Sequence, residues 1–188
     1  MMPEKADQLR KEKQRFRREI RTAAAALPAE YRSAASRRIA EQVLALEEYR
    51  KARVVMMYAS LPEEPDTHAI IEDAVCAGKT VLLPRCVSPE RMIALPFAGW
   101  EDLQHGWLNI LEPVMPAEGT EIPAPELILV PCVSASSDGR RLGHGAGYYD
   151  RFLAGQRAET VCLCFRRLVR EKIPVGTTDR RMDRVIMD

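Results

Sequence analysis

Apolar residues recur at two different periods along the chain, and the change between them predicts its architecture. Leu9, Phe16, Ile20, Ala23 and Leu27 stand at helical spacing, which predicts an amphipathic helix over about 5–27. Pro28 stops it. Tyr31, Ala35, Ile39, Val43 and Leu46 then predict a second helix reaching Tyr49, so the chain opens on a helical hairpin. From Arg53 the period changes. Residues 54–58 form a continuous apolar run expected of a strand covered on both faces, and a polar loop follows. The next helix turns Ile70, Ile71, Ala74 and Val75 inward and ends at Gly78, and 81–83 form the next strand. A βαβ unit of this kind implies a parallel sheet. Short strands are expected at 92–96, 127–130, 160–165 and 184–187. The predicted fold is α/β in three layers: a mostly parallel sheet flanked by helices, with an N-terminal helical hairpin. One domain is expected to span 1–188, since no internal repeat, low-complexity tract or linker divides it, and the prolines between Pro113 and Pro125 read as a surface loop.

Composition narrows the class of partner. A net charge of +1 over 188 residues argues against duplex DNA or an anionic membrane as the target. The N-terminal helix is locally basic, with eight Lys or Arg against four Asp or Glu up to Arg21, but no aromatic surface accompanies it for stacking nucleic-acid bases. Without further information that face reads as solvated. Five cysteines, Cys76, Cys86, Cys132, Cys162 and Cys164, read as reduced core residues of a cytoplasmic protein. The three histidines, His68, His105 and His144, are too scattered to complete a metal site on Cys162 and Cys164. A highly charged start and the lack of a long apolar run predict a soluble chain with no signal peptide or membrane span.

Residues 127–153, LILVPCVSASSDGRRLGHGAGYYDRFL, carry the densest chemistry. A strand at 127–130 is followed by a turn signal at Ser136, Ser137, Asp138 and Gly139, then by Arg140 and Arg141, then by Gly143, Gly145 and Gly147. Alternating glycines expose backbone N–H groups, and a helix over 148–154, capped by Gly155, would turn its positive end to the same place. The segment reads as an anion-binding loop. It is not a Walker A loop, which needs Gly-Lys-Ser/Thr, and it lacks the G-x-G-x-x-G spacing of a dinucleotide fold. Loops after strand C-termini face one cleft in a parallel α/β sheet, so Ser60, Glu63 and Glu64 after the first strand are candidates to share the site.

The string RLGHGAGYYDRF, residues 141–152, resembles the signature of the 5-formyltetrahydrofolate cyclo-ligase (methenyltetrahydrofolate synthetase) family. Weaker matches run through the chain in the family's order: Lys13 and Arg17 on the first helix, Ser60 to Thr67, Gly106 to Pro113, and Asp179 with Asp183. The resemblance implies ATP binding by Lys13, Arg17, Arg141, Leu142, Gly143, His144, Gly145, Ala146, Gly147, Tyr148 and Tyr149. It implies reduced-folate binding by Ala59, Glu64 and the loop from His144 to Tyr148, with Glu64 accepting from pterin N–H groups. Asp150 and Asp179 match the family's Mg²⁺ positions. Lying side by side, these carboxylates would repel without a cation between them.

The implied reaction closes 5-formyltetrahydrofolate to 5,10-methenyltetrahydrofolate at the expense of ATP. No protein nucleophile is needed, and positioning with neutralisation of phosphate charge would carry catalysis. The expected partners are small molecules acting on a monomer, with neither nucleic acid nor membrane involved. The chain departs from the family pattern at Pro65 within the acidic segment, at Asn109, at Ala146, and at Gly176 and Thr178. These departures leave open a relative that binds folate or nucleotide without this activity, or that serves another pathway such as thiamin metabolism.

Overall fold

The computed structural model describes residues 2–106 and 110–188. Asn109 lies outside the described residues. The chain opens with α1 (Met2–Ala25) and α2 (Ala29–Ala45), joined through Pro28 at the start of α2. Along α1 the inward stripe is not purely apolar. Ile20 and Ala24 are buried, Phe16 packs beside them, and the partly buried Lys13 and Arg17 continue the same face. Lys11, Arg15, Arg18 and Arg21 remain exposed, so the solvated reading holds for most of the basic residues but fails for these two.

The second helix is shorter than its periodicity predicts. It breaks at Leu46, which is extended at φ −61 and ψ 135, and resumes as α3 (Glu47–Lys51). The reason lies in Tyr49. Six positions beyond Val43 it would sit roughly 240° around a continuous helix of 3.6 residues per turn. The break turns its ring inward, where it is 3% exposed and its hydroxyl donates to Asp73 Oδ1 at 2.6 Å.

The main sheet uses β1 (Val54–Met56), β2 (Thr80–Cys86) and β3 (Met92–Pro96). Helix α4 (His68–Cys76) links the first two. After the small antiparallel pair β4 (Leu103–His105) and β5 (Leu111–Pro113) comes β6 (Leu127–Val130), buried at all four positions. A tight hairpin, β7 (Ser134–Ala135) with β8 (Arg141–Leu142), precedes α5 (Tyr148–Leu153), β9 (Glu159–Leu163) and β10 (Arg184–Ile186). The six-stranded sheet has the order β10-β9-β6-β1-β2-β3. Every pairing is parallel except β2 with β3. The fold is therefore a mixed, mostly parallel sheet flanked by helices, as expected.

Three local expectations are corrected. Val75 is 48% exposed, because the last turn of α4 overhangs the end of β2, where Thr80 is itself exposed. Gly155 follows α5 without a left-handed turn; Ala154 occupies the cap. Cys76 is exposed and Cys86 half-buried, leaving Cys132, Cys162 and Cys164 as the buried thiols; all five are free.

One topological feature positions the site. From β1 the chain moves outward to β2, whereas β6, on the other side of β1, leads away to β9 and β10. The loops leaving β1 and β6 thus diverge at the reversal of strand order, which is where open α/β sheets form their ligand cleft.

Candidate active site

The loop leaving β1 brings Glu64 into the sheet's reversal point, 7% exposed. Its Oε2 accepts the Leu61 N–H at 2.9 Å, and its Oε1 lies 2.8 Å from His144 Nε2. That second contact joins the β1 loop to the glycine loop across 80 positions. Glu64 does not bond the first turn of α4; Asp66, just ahead of the Thr67 cap, accepts the His68 N–H at 2.9 Å. Ala59, half-buried, lies on the same stretch leaving β1. Tyr58 and Tyr149, both within electrostatic reach of Glu64, carry buried hydroxyls with no hydrogen-bond partner among the described residues. Burial, and then the Glu64 charge, push both phenols well above their ordinary pKa.

The glycine loop is held by arginines bonding to its carbonyls. Arg17 Nε donates to Gly143 O at 2.8 Å, Arg21 Nη2 to His144 O at 3.3 Å, and Arg151 Nη2 to Ala146 O at 2.9 Å. Among the described residues no hydrogen bond engages the N–H groups from Gly143 to Gly147. In a planar trans peptide the N–H points opposite to the preceding carbonyl, so tying the carbonyls to arginines leaves a row of free donors. Gly145 at φ +115 and Gly147 at φ +73 make this path possible. A cleft of about 530 Å³ lies beside the loop, lined by Lys11, Gln14, Arg17, Arg18, Arg21, His144 and Gly145. Burial and the neighbouring Arg21 weaken the hold of Arg17 on its proton, while Asp179 and Asp150 act in the opposite sense.

The other charged candidates fall into pairs. Lys13 Nζ reaches Asp179 Oδ2 at 2.5 Å. Arg141 is buried, donating from Nη2 to Asp150 Oδ1 at 2.8 Å and from Nη1 to Pro131 O at 3.0 Å, with its guanidinium over the Tyr149 ring. Arg140 turns back to Asp138. Of the two arginines ahead of the glycines, Arg140 closes the β7–β8 turn, and Arg141 lies beneath the loop against Asp150. Leu142 is a buried residue of β8. Tyr148 donates to Ser88 O at 2.9 Å, and its ring is covered by Arg151. Asp183 bonds Thr160 rather than entering the site.

Asp150 and Asp179 both favour the charged form of Arg17, so the two carboxylates lie within electrostatic reach of one guanidinium. Each already has a cationic partner, Asp179 in Lys13 and Asp150 in Arg141. Two carboxylates combined with phosphate oxygens form a donor set that Mg²⁺ accepts, and no larger His, Cys, Asp or Glu cluster able to hold a metal occurs among the described residues. Sequence reasoning missed Tyr58, Arg21 and Arg151. Only Arg151 had a readable signal, four positions after Gly147 and hence on the face that turns back to the loop.

Comparison with known proteins gives the family of the chain. The sequence pattern of the 5-formyltetrahydrofolate cyclo-ligase family matches residues 9–188. The chain belongs to this family. It is 29% identical to a 5-formyltetrahydrofolate cyclo-ligase of Mus musculus, covering 94% of this chain and 93% of that one. Identity to a Saccharomyces cerevisiae protein of the same name is 31%, over 93% and 94% of the two chains. Among solved structures, a 5,10-methenyltetrahydrofolate synthetase of Aquifex aeolicus superposes with a TM-score of 0.80 at 26% identity, over 93% of this chain and 89% of that one. A Mycoplasma pneumoniae structure at 18% identity and a TM-score of 0.71 shares the fold. Within the family cleft, Ala146 contributes only a carbonyl to Arg151, and Gly176 donates its N–H to Asp179 Oδ2 at 2.5 Å.

Proposed function

We propose that this chain is an enzyme that uses ATP and Mg²⁺ to close 5-formyltetrahydrofolate into 5,10-methenyltetrahydrofolate, releasing ADP and phosphate. One observation carries the reading. At the reversal of strand order, a loop with a row of free N–H donors, flanked by Lys13 and Arg17, touches the loop bearing buried Glu64 at 2.8 Å. A polyphosphate and a pterin can thus be held against each other.

In this scheme the formyl oxygen attacks the γ-phosphorus and ADP departs. N10 then adds to the activated carbon, and the C–O bond breaks to release phosphate as N10 loses its proton. Arg17 keeps both Nη groups free of described partners while Nε anchors the loop, so it can add donors to the phosphates without releasing Gly143. Lys13 reaches the phosphates from the same helix face. Leu142 sets the loop's entry from β8, and Arg141 holds Asp150 in place beneath the loop. Glu64 accepts from the pterin N–H groups, with Ala59 and Tyr148 packing beside it. Asp150 and Asp179 would hold Mg²⁺, which when bound supplies neutralisation of phosphate charge. Catalysis is then positioning and electrostatic stabilisation.

We place the enzyme in the cytoplasm as a monomer of one domain; five free thiols support a reducing compartment. Among the described residues no helix is long and apolar enough to cross a membrane. The relatives' names favour the ligase over a binding protein without activity. The test is direct: protein, 5-formyltetrahydrofolate, Mg²⁺ and ATP are mixed and the near-ultraviolet absorbance of the methenyl product followed. No rise at any protein concentration sinks the proposal.

A further inference from the structure

The contact between His144 and Glu64 joins the two loops assigned above to different substrates, and both partners have other work to do. Glu64 Oε2 is fixed by the Leu61 N–H, so Oε1 is the oxygen left to receive a folate donor, and His144 occupies it. His144 also lines the cationic cleft with Arg17, Arg18, Arg21 and Gly145, the side from which phosphate would arrive. Its Nε2 cannot serve both. The two residues differ in freedom: the Glu64 side chain is 5% exposed and held, whereas His144 is 36% exposed between Gly143 and Gly145. Among the described residues its carbonyl is tied only by the 3.3 Å bond from Arg21. The imidazole can therefore swing while the carboxylate stays.

We propose that the His144–Glu64 hydrogen bond couples the two substrate sites, so that nucleotide and reduced folate each bind more tightly when the other is present. The inference rests on the assignment of ATP to the glycine loop and folate to Glu64. If phosphate draws His144 away first, Glu64 Oε1 is left buried without a partner, which is unfavourable until a pterin N–H takes the place. If folate binds first, it must displace His144, and the freed imidazole gains a charged acceptor in place of water when phosphate is present. Each ligand thus removes a cost that the other meets alone. Linkage requires the coupling to be reciprocal.

Calorimetry tests this on the full chain with 5-formyltetrahydrofolate and a non-hydrolysable ATP analogue with Mg²⁺, each titrated alone and at saturation of the other. The wild-type chain should show a coupling on the order of ten-fold, equal in both directions. In His144→Ala the factor should fall below about two-fold, with folate alone binding more tightly than to wild type because its competitor is gone. His144→Gln, which keeps a donor for Glu64, should retain part of the coupling and guards against a folding defect in the alanine variant. Undiminished coupling in His144→Ala overturns the proposal, as does the absence of coupling in wild type when both ligands bind. A lower melting temperature in His144→Ala with unchanged coupling would mark the contact as a structural staple and also overturns it. Failure of wild type to bind either ligand is a different result, and strikes the ligase reading itself.

Discussion

Lys13 and Asp179, 166 positions apart in sequence, meet at 2.5 Å with side chains 17% and 13% exposed. The pair fastens the N-terminal helix to the loop before β10, and it uses a lysine from the helix's inward stripe. At this exposure it lies between a surface pair, worth under about 1 kcal/mol, and a buried one whose breaking costs about 3–5 kcal/mol. Lys13→Met should therefore destabilise the chain by about 1–3 kcal/mol in urea unfolding, and Lys13→Met with Asp179→Asn should recover part of the loss. Strict additivity of the two changes would show that the contact does not hold the helix. In turnover, Lys13→Met should raise KM for ATP well above any change in KM for the folate.

Asp150 is braced by buried Arg141, which alters what its replacement should do. Two bare carboxylates would gain stability when one is neutralised. Here Asp150→Asn weakens the charge-assisted bond from a guanidinium whose Nε already lacks a partner. The expected result is a stability loss of about 1–3 kcal/mol together with a large fall in kcat that added Mg²⁺ does not restore. Unchanged melting with low kcat would confine Asp150 to the metal. Normal kcat would remove it from catalysis.

At Gly145 the backbone itself sets the outcome. Its φ of +115 is unfavourable for any side chain, and an added Cβ would stand 3.3 Å from Arg17 Cζ. Gly145→Val should abolish ATP binding in calorimetry by closing the path of free N–H groups and displacing Arg17. The strain at this φ should lower the melting temperature by some degrees, but the exposed loop can relax and the variant should still fold, so that binding is compared on folded protein. Retained ATP affinity would show that the loop does not hold the nucleotide.

The strands at 92–96 and 127–130 were legible to the residue, because a continuous apolar run between prolines or polar loops has few other uses. The four-residue spacing of Lys13 and Arg17 likewise showed that they share a helix face. Which face it was could not be read, since burial of a charged stripe depends on Asp179 and the Gly143 carbonyl, both supplied from far along the chain. The resemblance places Arg141 among the ATP contacts, and the structure shows it bonded to Asp150. A glycine loop preceded by arginine looks alike whether the guanidinium faces ligand or braces Asp150 nine positions later. The break at Leu46 was invisible because helical periodicity runs straight through it, and only the need to bury Tyr49 against Asp73 reveals it.

Thiol reactivity should separate the cysteines. Cys86 is half-buried beside Glu112, and desolvation followed by that carboxylate push its thiol up to about 11. At pH 8 about one molecule in a thousand would carry the Cys86 thiolate, the nucleophilic form. Cys76 is exposed. Iodoacetamide at pH 8 should therefore label Cys76 first by mass spectrometry, with Cys86 and the three buried thiols modified only slowly or after unfolding. Raised folded-state pKa values favour the protonated thiol, so labelling of Cys86 should accelerate toward pH 11. Rapid labelling of Cys86 at pH 8 would contradict this placement.

The segment from Gly106 to Pro113 matched the family pattern without a role, and its geometry now supplies one. Glu112 is 3% exposed, and its Oε1 accepts the Cys86 N–H at 3.2 Å, tying β5 to the end of β2. Arg85 Nη1 reinforces the join by donating to Pro113 O at 2.6 Å. A Cβ on Gly106 would lie 2.0 Å from Glu112 Oε2, so the carboxylate fits only because residue 106 has no side chain. Gly106→Ala must push this carboxylate off the Cys86 N–H or shift the β4–β5 pair. Overpacking of this kind costs about 1–3 kcal/mol, and loss of the bond adds to it. Glu112→Ala alone should also destabilise, since it frees the Cys86 N–H, but it removes the atoms that clash with residue 106. Gly106→Ala should therefore cost much less in the Glu112→Ala background than in wild type, by about 1 kcal/mol or more in a double-mutant cycle read from urea unfolding. Equal costs in the two backgrounds would mean that the glycine is needed for its own backbone, and that its place in the motif owes nothing to the glutamate.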